Sequence, residues 1–254
     1  MPGLTGPYLK VSRAKEHLDS LNSGINEFRE SESYRYSAEE NLQTSEYIIT
    51  IVFDEPPLPL SLIVGDFICC LRSALDHLAW QLALLTTLPK FPSRKVEFPI
   101  IGKFGSRTEG IISDATKGIP EKAVARIREL QPYNRGSAYK STHLWRLHTL
   151  WNIEKHRHLT IHSCILNIQF PGVKPPKQVH TKSFDNGCIL ALPLSSKPDT
   201  DLKPWATVDV SFGDVEEGIE LNAADLIDMY QFVGEKVIPG FSSFFSQSPV
   251  IWKP

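Results

Sequence analysis

LSLIVGDFICCLRSALDHLAWQLALLTT, residues Leu60 to Thr87, carries Val64, Phe67, Leu71, Ala74, Leu78, Leu82 and Leu85 at steps of three and four. That spacing predicts a helix with an apolar stripe, and Ile63, Ile68, Leu75 and Trp80 make its remaining faces largely apolar too. Such a helix has to be covered on nearly every side, which places it at the centre of a core. Its length would suit a membrane span. Asp66, Arg72, Asp76, His77 and Gln81 nevertheless lie through its middle, each costing several kcal/mol in lipid, so the segment reads as a buried soluble helix.

The flanking sequence supplies partners. Val11, Ala14, Leu18, Leu21, Ile25 and Phe28 predict a helix over 9–30 with one narrow apolar seam. Tyr47 to Phe53 is β-branched and aromatic and stops at Asp54-Glu55-Pro56-Pro57, the pattern of a strand. Pro120 opens a short helix that must end near Pro132, and a further helix is expected over 141–157. The period then changes to two. Cys164, Leu166, Ile168 and Phe170 alternate with Ser163, Ile165, Asn167 and Gln169, and Ala206, Val208, Val210 and Phe212 do the same, which predicts half-buried strands. Asp185-Asn186-Gly187 predicts a hairpin between 179–184 and 188–192, because Asn-Gly tolerates the positive φ of a tight turn. Asn222 is expected to cap a last helix carrying Leu226, Tyr230, Val233, Val237 and Phe241.

Together these elements predict an α+β fold, a bundle of amphipathic helices packed with a small antiparallel sheet. It is expected as one domain over 1–254: a helical core about 9–157 with a strand near 47–53, antiparallel strands about 158–213, and a C-terminal helix about 222–245. A chain of 254 residues with 41% apolar and 22% charged residues can bury a core without a disulfide or metal. A net charge of −2 gives no general attraction to polyanions, so nucleic-acid binding would need a local patch. Cys69, Cys70, Cys164 and Cys188 form no C-x-x-C pair and no apolar signal segment follows Met1, which suggests reduced thiols in a cytoplasm.

Two polar clusters stand out. In the central helix Arg72 and Asp76 are four apart and can pair, with Ser73, His77 and Gln81 in an adjacent row. In the helix over 141–157, His148, Asn152 and Lys155 share one face with His156 beside them, while Leu144, Leu147 and Trp151 share the apolar face. His143, His148, His156, His158 and His162 crowd this stretch, and imidazole titrates near neutrality, which suits proton transfer, phosphate or metal binding. No close-spaced metal-ligand motif, phosphate-cradling loop, dinucleotide fingerprint or nucleophile elbow is present, so no metal or cofactor is expected.

Arg72-Ser73-Ala74-Leu75-Asp76-His77-Leu78, Leu130-Gln131-Pro132-Tyr133, Leu144-Trp145 and Asn152-Ile153-Glu154-Lys155-His156-Arg157 resemble, as an ordered set, blocks shared by a family of bacterial hypothetical proteins. That resemblance covers roughly 60–160 and implies a site but no reaction. More loosely, Arg72 with His77, and Arg157 with His162, are similar to the arginine-to-histidine spacing of HEPN helical domains, whose ribonuclease members cleave RNA. The resemblance implies a metal-independent RNA-cleaving or nucleotide-binding protein. His77 would be general acid/base, Arg72 and Lys155 would stabilise phosphate charge, and Asp76 would orient a neighbouring cation, with His148, Asn152, His156 and Arg157 binding. Partners would be RNA or a nucleotide and a second copy of the chain as a homodimer, with no membrane. Two alternatives stay open. One is a noncatalytic binding or interaction module, whose polar residues fix how two helices cross. The other is metal-assisted hydrolysis using His148 and His156.

Overall fold

In a computed structural model, which describes residues 2–31, 33–88, 90–157, 159–169, 180–184, 186–197, 205–214 and 218–245, the central segment is one long helix. We number the helices α1 (Thr5–Glu30), α2 (Pro59–Thr87), α3 (Thr108–Ala115), α4 (Glu121–Glu129), α5 (His143–Glu154) and α6 (Ala223–Gln231). The strands are β1 (Tyr34–Asn41), β2 (Glu46–Phe53), β3 (Thr160–Gln169), β4 (His180–Phe184), β5 (Gly187–Pro193), β6 (Trp205–Asp214) and β7 (Ile219–Leu221). The fold is α+β. No helix among the described residues is long and apolar enough to cross a membrane.

The chain divides into two compact units: Met1–Leu21, Leu62–Leu159 and Gly213–Pro254 form the first, Asn22–Ser61 and Thr160–Phe212 the second. In the first, Val64, Phe67, Ile68, Leu71, Ala74, Leu75, Leu78, Ala79, Leu82 and Ala83 of α2 are all buried, as the many-sided apolar pattern predicts. Buried Val11, Ala14 and Leu18 of α1 and Leu144, Leu147 and Leu150 of α5 belong to the same unit. Leu85, the last member of the predicted stripe, is instead exposed.

In the second unit Ile49, Ile51 and Phe53 of β2 are buried in strict alternation. β2 pairs antiparallel with β1 on one edge and with β5 on the other, β5 pairs antiparallel with β4, and the sheet order is β1-β2-β5-β4. β3 pairs with β6 in a second sheet. The sequence predicts one sheet; among the described residues there are two, because both edges of β2 are occupied and β3 pairs with β6 instead. β1 has no counterpart in the sequence pattern because its residues from Arg35 to Glu40 are exposed, so an edge strand shows no apolar alternation. Asp185 of the predicted hairpin turn lies outside the described residues, as do the side chains of Cys164, Leu166 and Ile168 and all of Phe170; Ala206 and Val208 are described in backbone only.

The C-terminal helix is the main correction to the predicted boundaries. Asn222 caps α6 in a reciprocal capping box with Asp225, but regular α-helix ends at Gln231 rather than continuing to 245. Phe232–Val237 is a π-helical turn and Pro239–Phe244 a 3₁₀ turn. Pro239 has no N–H to continue the ladder, and within the same unit Gly234 sits so close to Val11 that a Cβ there would lie 2.9 Å from a Val11 methyl carbon.

Candidate functional site

The site is built on one turn of α2. Residues four apart on a helix lie on the same side, so Arg72 and Asp76 face the extended segment around Phe98 together. Arg72 Nη2 donates to the Phe98 carbonyl at 2.9 Å, and the Phe98 N–H donates to Asp76 Oδ1 at 3.0 Å. Arg72 Nη1 lies 2.8 Å from the same Asp76 oxygen, closing a three-membered arrangement of guanidinium, carboxylate and one residue's backbone. Buried N–H and C=O groups of an extended segment that joins no sheet need partners, and here two side chains supply them. The arrangement is deep: the Arg72 side chain is 2% exposed and that of Asp76 30%.

Gln131 extends the same device by one step. Its Nε2 donates to the carbonyls of Pro99 and Ile127 at 2.8 and 3.1 Å, and its Oε1 accepts from the Ile101 N–H at 2.9 Å. The Tyr133 N–H then donates to the Ile101 carbonyl at 3.2 Å. The segment Phe98–Ile101 is thus stitched by Arg72, Asp76 and Gln131 much as a neighbouring strand would hold it. Gln131 is buried, as are Phe98 and Pro99.

α5 contributes the other wall. Thr142 caps it, accepting the Trp145 N–H at 3.3 Å, which starts the helix at His143 rather than 141. The Trp151 ring has Arg72 Cζ 5.0 Å and Lys155 Nζ 3.0 Å from its centroid, so two cations meet one indole. His148 lies 5.9 Å from the same ring, and its Nε2 is 3.1 Å from Asn152 Nδ2. If the amide donates here, the ring proton sits on Nδ1. That nitrogen is buried and has no hydrogen-bond partner among the described residues; neither does Arg72 Nε. At Gly65 of α2 a Cβ would take the place of the Glu154 carboxylate of α5.

Burial sets the protonation states. His148 is pushed down to about 4, first by desolvation and then by the charges of Arg72 and Lys155, so it is a neutral imidazole at physiological pH. Desolvation raises the Asp76 carboxyl, helped by Glu97, against the opposing pull of Arg72 and the Phe98 N–H. Burial and the neighbouring Glu154 and Asp66 raise the Cys69 thiol, so Cys69 is a poor nucleophile at neutral pH.

The structure therefore gathers Arg72, Asp76, His148, Asn152 and Lys155, and it separates the rest. His77 is turned toward α1: a Cβ on Gly6 would lie 3.4 Å from its Nδ1, and Lys10 joins desolvation in lowering its pKa. Its departure follows from spacing, since residues five apart on a helix point about 140° apart. His156 is exposed beyond the last turn of α5, and Arg157 is committed to Asp214 at 2.6 Å. His158 lies outside the described residues.

Three participants are absent from the sequence-based site. Trp151 falls on the apolar face of its helix, although an indole serves a hydrophobic and a cationic neighbour equally well. Gln131, one polar residue between Leu130 and Pro132, is a visible signal without an evident partner. The Phe98 backbone carries no sequence signal at all. Among the described residues no group of three or more His, Cys, Asp or Glu side chains is placed to hold a metal ion, and Cys69, Cys70 and Cys188 are free thiols. A separate pocket of about 420 Å³ lies in the second unit, lined by Asp54, Glu55, His162, Ser163 and Asn186 with Leu58 and Ile161. Compared with known proteins, the chain matches no family model, no curated protein and no solved structure.

Proposed function

We propose that this chain is a noncatalytic binding module, in which the Arg72–Asp76 pair and Gln131 are the framework that sets one face of the helical unit. The observation that carries this reading is that Arg72 and Asp76 both serve the Phe98 backbone, while His77 faces Gly6 and Lys10 instead of joining them. Metal-independent RNA cleavage needs a proton-transfer group beside the cation that stabilises phosphate charge. His148, the imidazole that does stand near Arg72, is too weak a base to collect a proton at neutral pH.

Thermal and chemical melts paired with an RNA-cleavage assay test the reading. The wild type is expected to leave a mixed RNA pool intact in the presence of chelator. Arg72→Ala strands the Asp76 charge and the Phe98 carbonyl, and is expected to cost about 3–5 kcal/mol. His77→Ala, at an exposed position, is expected to cost less than about 0.5 kcal/mol. Chelator-resistant cleavage that disappears in a stably folded His77→Ala protein would overturn the proposal in favour of the ribonuclease reading.

A further inference from the structure

The acidic and basic residues of this nearly neutral chain are unevenly placed. From Phe98 to Thr108 and again from Leu130 to Ile153 there is no Asp or Glu, while the same stretches carry Lys103, Arg107, Arg135, Lys140 and Arg146. The fold joins the two stretches on one side of the first unit, since the Tyr133 N–H bonds the Ile101 carbonyl. Gly102 brings them closer still. A Cβ there would lie 2.8 Å from the Tyr139 ring and 3.0 Å from Trp145 Cδ1, so the glycine lets two aromatic residues close over the backbone.

The surface that results alternates rings and cations. Tyr139 and Trp145 stand edge to face at 5.7 Å, with Lys103 Nζ 5.4 Å from the Tyr139 centroid and Lys140 Nζ 5.3 Å from that of Trp145. Phe104 packs edge to face on Tyr133 at 5.4 Å and yet remains 63% exposed. Arg146 and Arg128 are occupied by Asp225 and Glu109. Lys103, Arg135 and Lys140 are exposed and have no acidic partner among the described residues. An exposed phenyl ring supported from below, on a face that carries three cations without acidic partners and whose neighbouring Glu109 and Asp225 are neutralised by Arg128 and Arg146, is complementary to a ligand that presents flat rings and regularly spaced negative charge.

We infer that this face, Lys103 and Phe104 with Tyr133, Arg135, Tyr139 and Lys140, binds single-stranded nucleic acid. Unpaired bases stack on Phe104 and along the Tyr139–Trp145 pair, and the cations now resting over those rings turn to the phosphates. Duplex is a poorer fit, because its bases are already stacked on one another and leave Phe104 in water. The inference deepens the binding-module reading and rests on it only in being noncatalytic; it uses none of the Arg72 framework.

Fluorescence anisotropy with the full chain and a labelled oligouridylate of about 15 nucleotides tests it, with oligothymidylate and a duplex of matching length as further arms. Three phosphate contacts at about 0.7 each predict a slope of about −2 in log K against log salt. Phe104→Ala is expected to weaken binding about tenfold or more at unchanged melting temperature. Lys103→Ala with Lys140→Ala is expected to bring the slope to about −0.7. A Lys15→Ala control on α1 is expected to bind as the wild type does. Equal affinity for the oligothymidylate supports stacking without ribose readout, and preference for the oligouridylate supports an RNA-selective version of the same site. No binding, equal binding of duplex, or binding of polyglutamate or anionic vesicles in preference to either single strand overturns the inference. So does single-strand binding indifferent to Phe104 and to the two lysines. Because this readout is affinity and that of the preceding section is cleavage, the two proposals fail separately.

Discussion

His148 shows how a single side chain takes its chemistry from its surroundings. On the sequence it is one of several histidines, each with a ring that ordinarily titrates near neutrality. In the fold, burial and two cations hold it neutral down to about 4. The consequence for stability has a definite sign. Between the unfolded value of about 6.5 and about 4 the unfolded chain binds a proton that the native ring refuses, so stability is lost as pH falls through that window. Allowing for the ring's partial exposure, the loss is about 2 kcal/mol. Urea denaturation at about pH 7 and about pH 4.5 is expected to show that loss in the wild type and a loss smaller by the same amount in His148→Gln. Identical pH dependence in both proteins would mean that the ring is not held neutral.

At the scale of elements, the segment Phe98–Ile101 illustrates a strand-like stretch with no strand beside it. Two prolines, Pro92 and Pro99, keep it out of a helix, and its backbone groups are met by side chains from α2 and from the turn after α4. Gln131→Ala leaves the Pro99 carbonyl and the Ile101 N–H without these partners and is expected to cost about 2–4 kcal/mol in chemical denaturation. A loss under about 0.5 kcal/mol would show that water replaces the amide freely. The elements legible in the sequence are those whose burial follows a period. Val11 to Phe28 of α1, the arc of α2, and Ile49, Ile51 and Phe53 of β2 are buried in the predicted pattern. β1 follows no apolar period because it is an exposed edge, whereas Val233 and Val237 keep the predicted seam and are buried although the backbone at Phe232–Val237 is a π-turn, a departure that the apolar period does not encode.

At the scale of the whole molecule, each compact unit is assembled from separated stretches of chain. The first unit needs the start of α1, the span from Leu62 to Leu159 and the C-terminal region from Gly213. A chain ending at Leu159 lacks Leu226, Met229, Val233, Val237, Ile238 and Phe241, all buried. It is expected to give an expanded elution volume and a non-cooperative melt by circular dichroism. A sharp transition near the full chain's midpoint would show that these residues add little to the core.

What the sequence by itself determined is the set of surfaces that must be hidden: the many-sided burial of α2, the seam of α1, the alternation in β2 and the capping of α6 by Asn222. These follow from the cost of leaving apolar area in water, which depends on local period alone. It also held the pairing of Arg72 with Asp76, since four residues are one turn of helix. Only the tertiary structure decided what the pair is for. The Phe98 backbone it holds, the Trp151 ring it meets and the direction in which His77 points depend on elements distant in sequence, and backbone N–H and C=O groups are the same at every position. The same limit applies to the basic and aromatic face. Its residues were in plain view, but Gly102, Tyr139 and Trp145 become neighbours only when the chain folds back on itself.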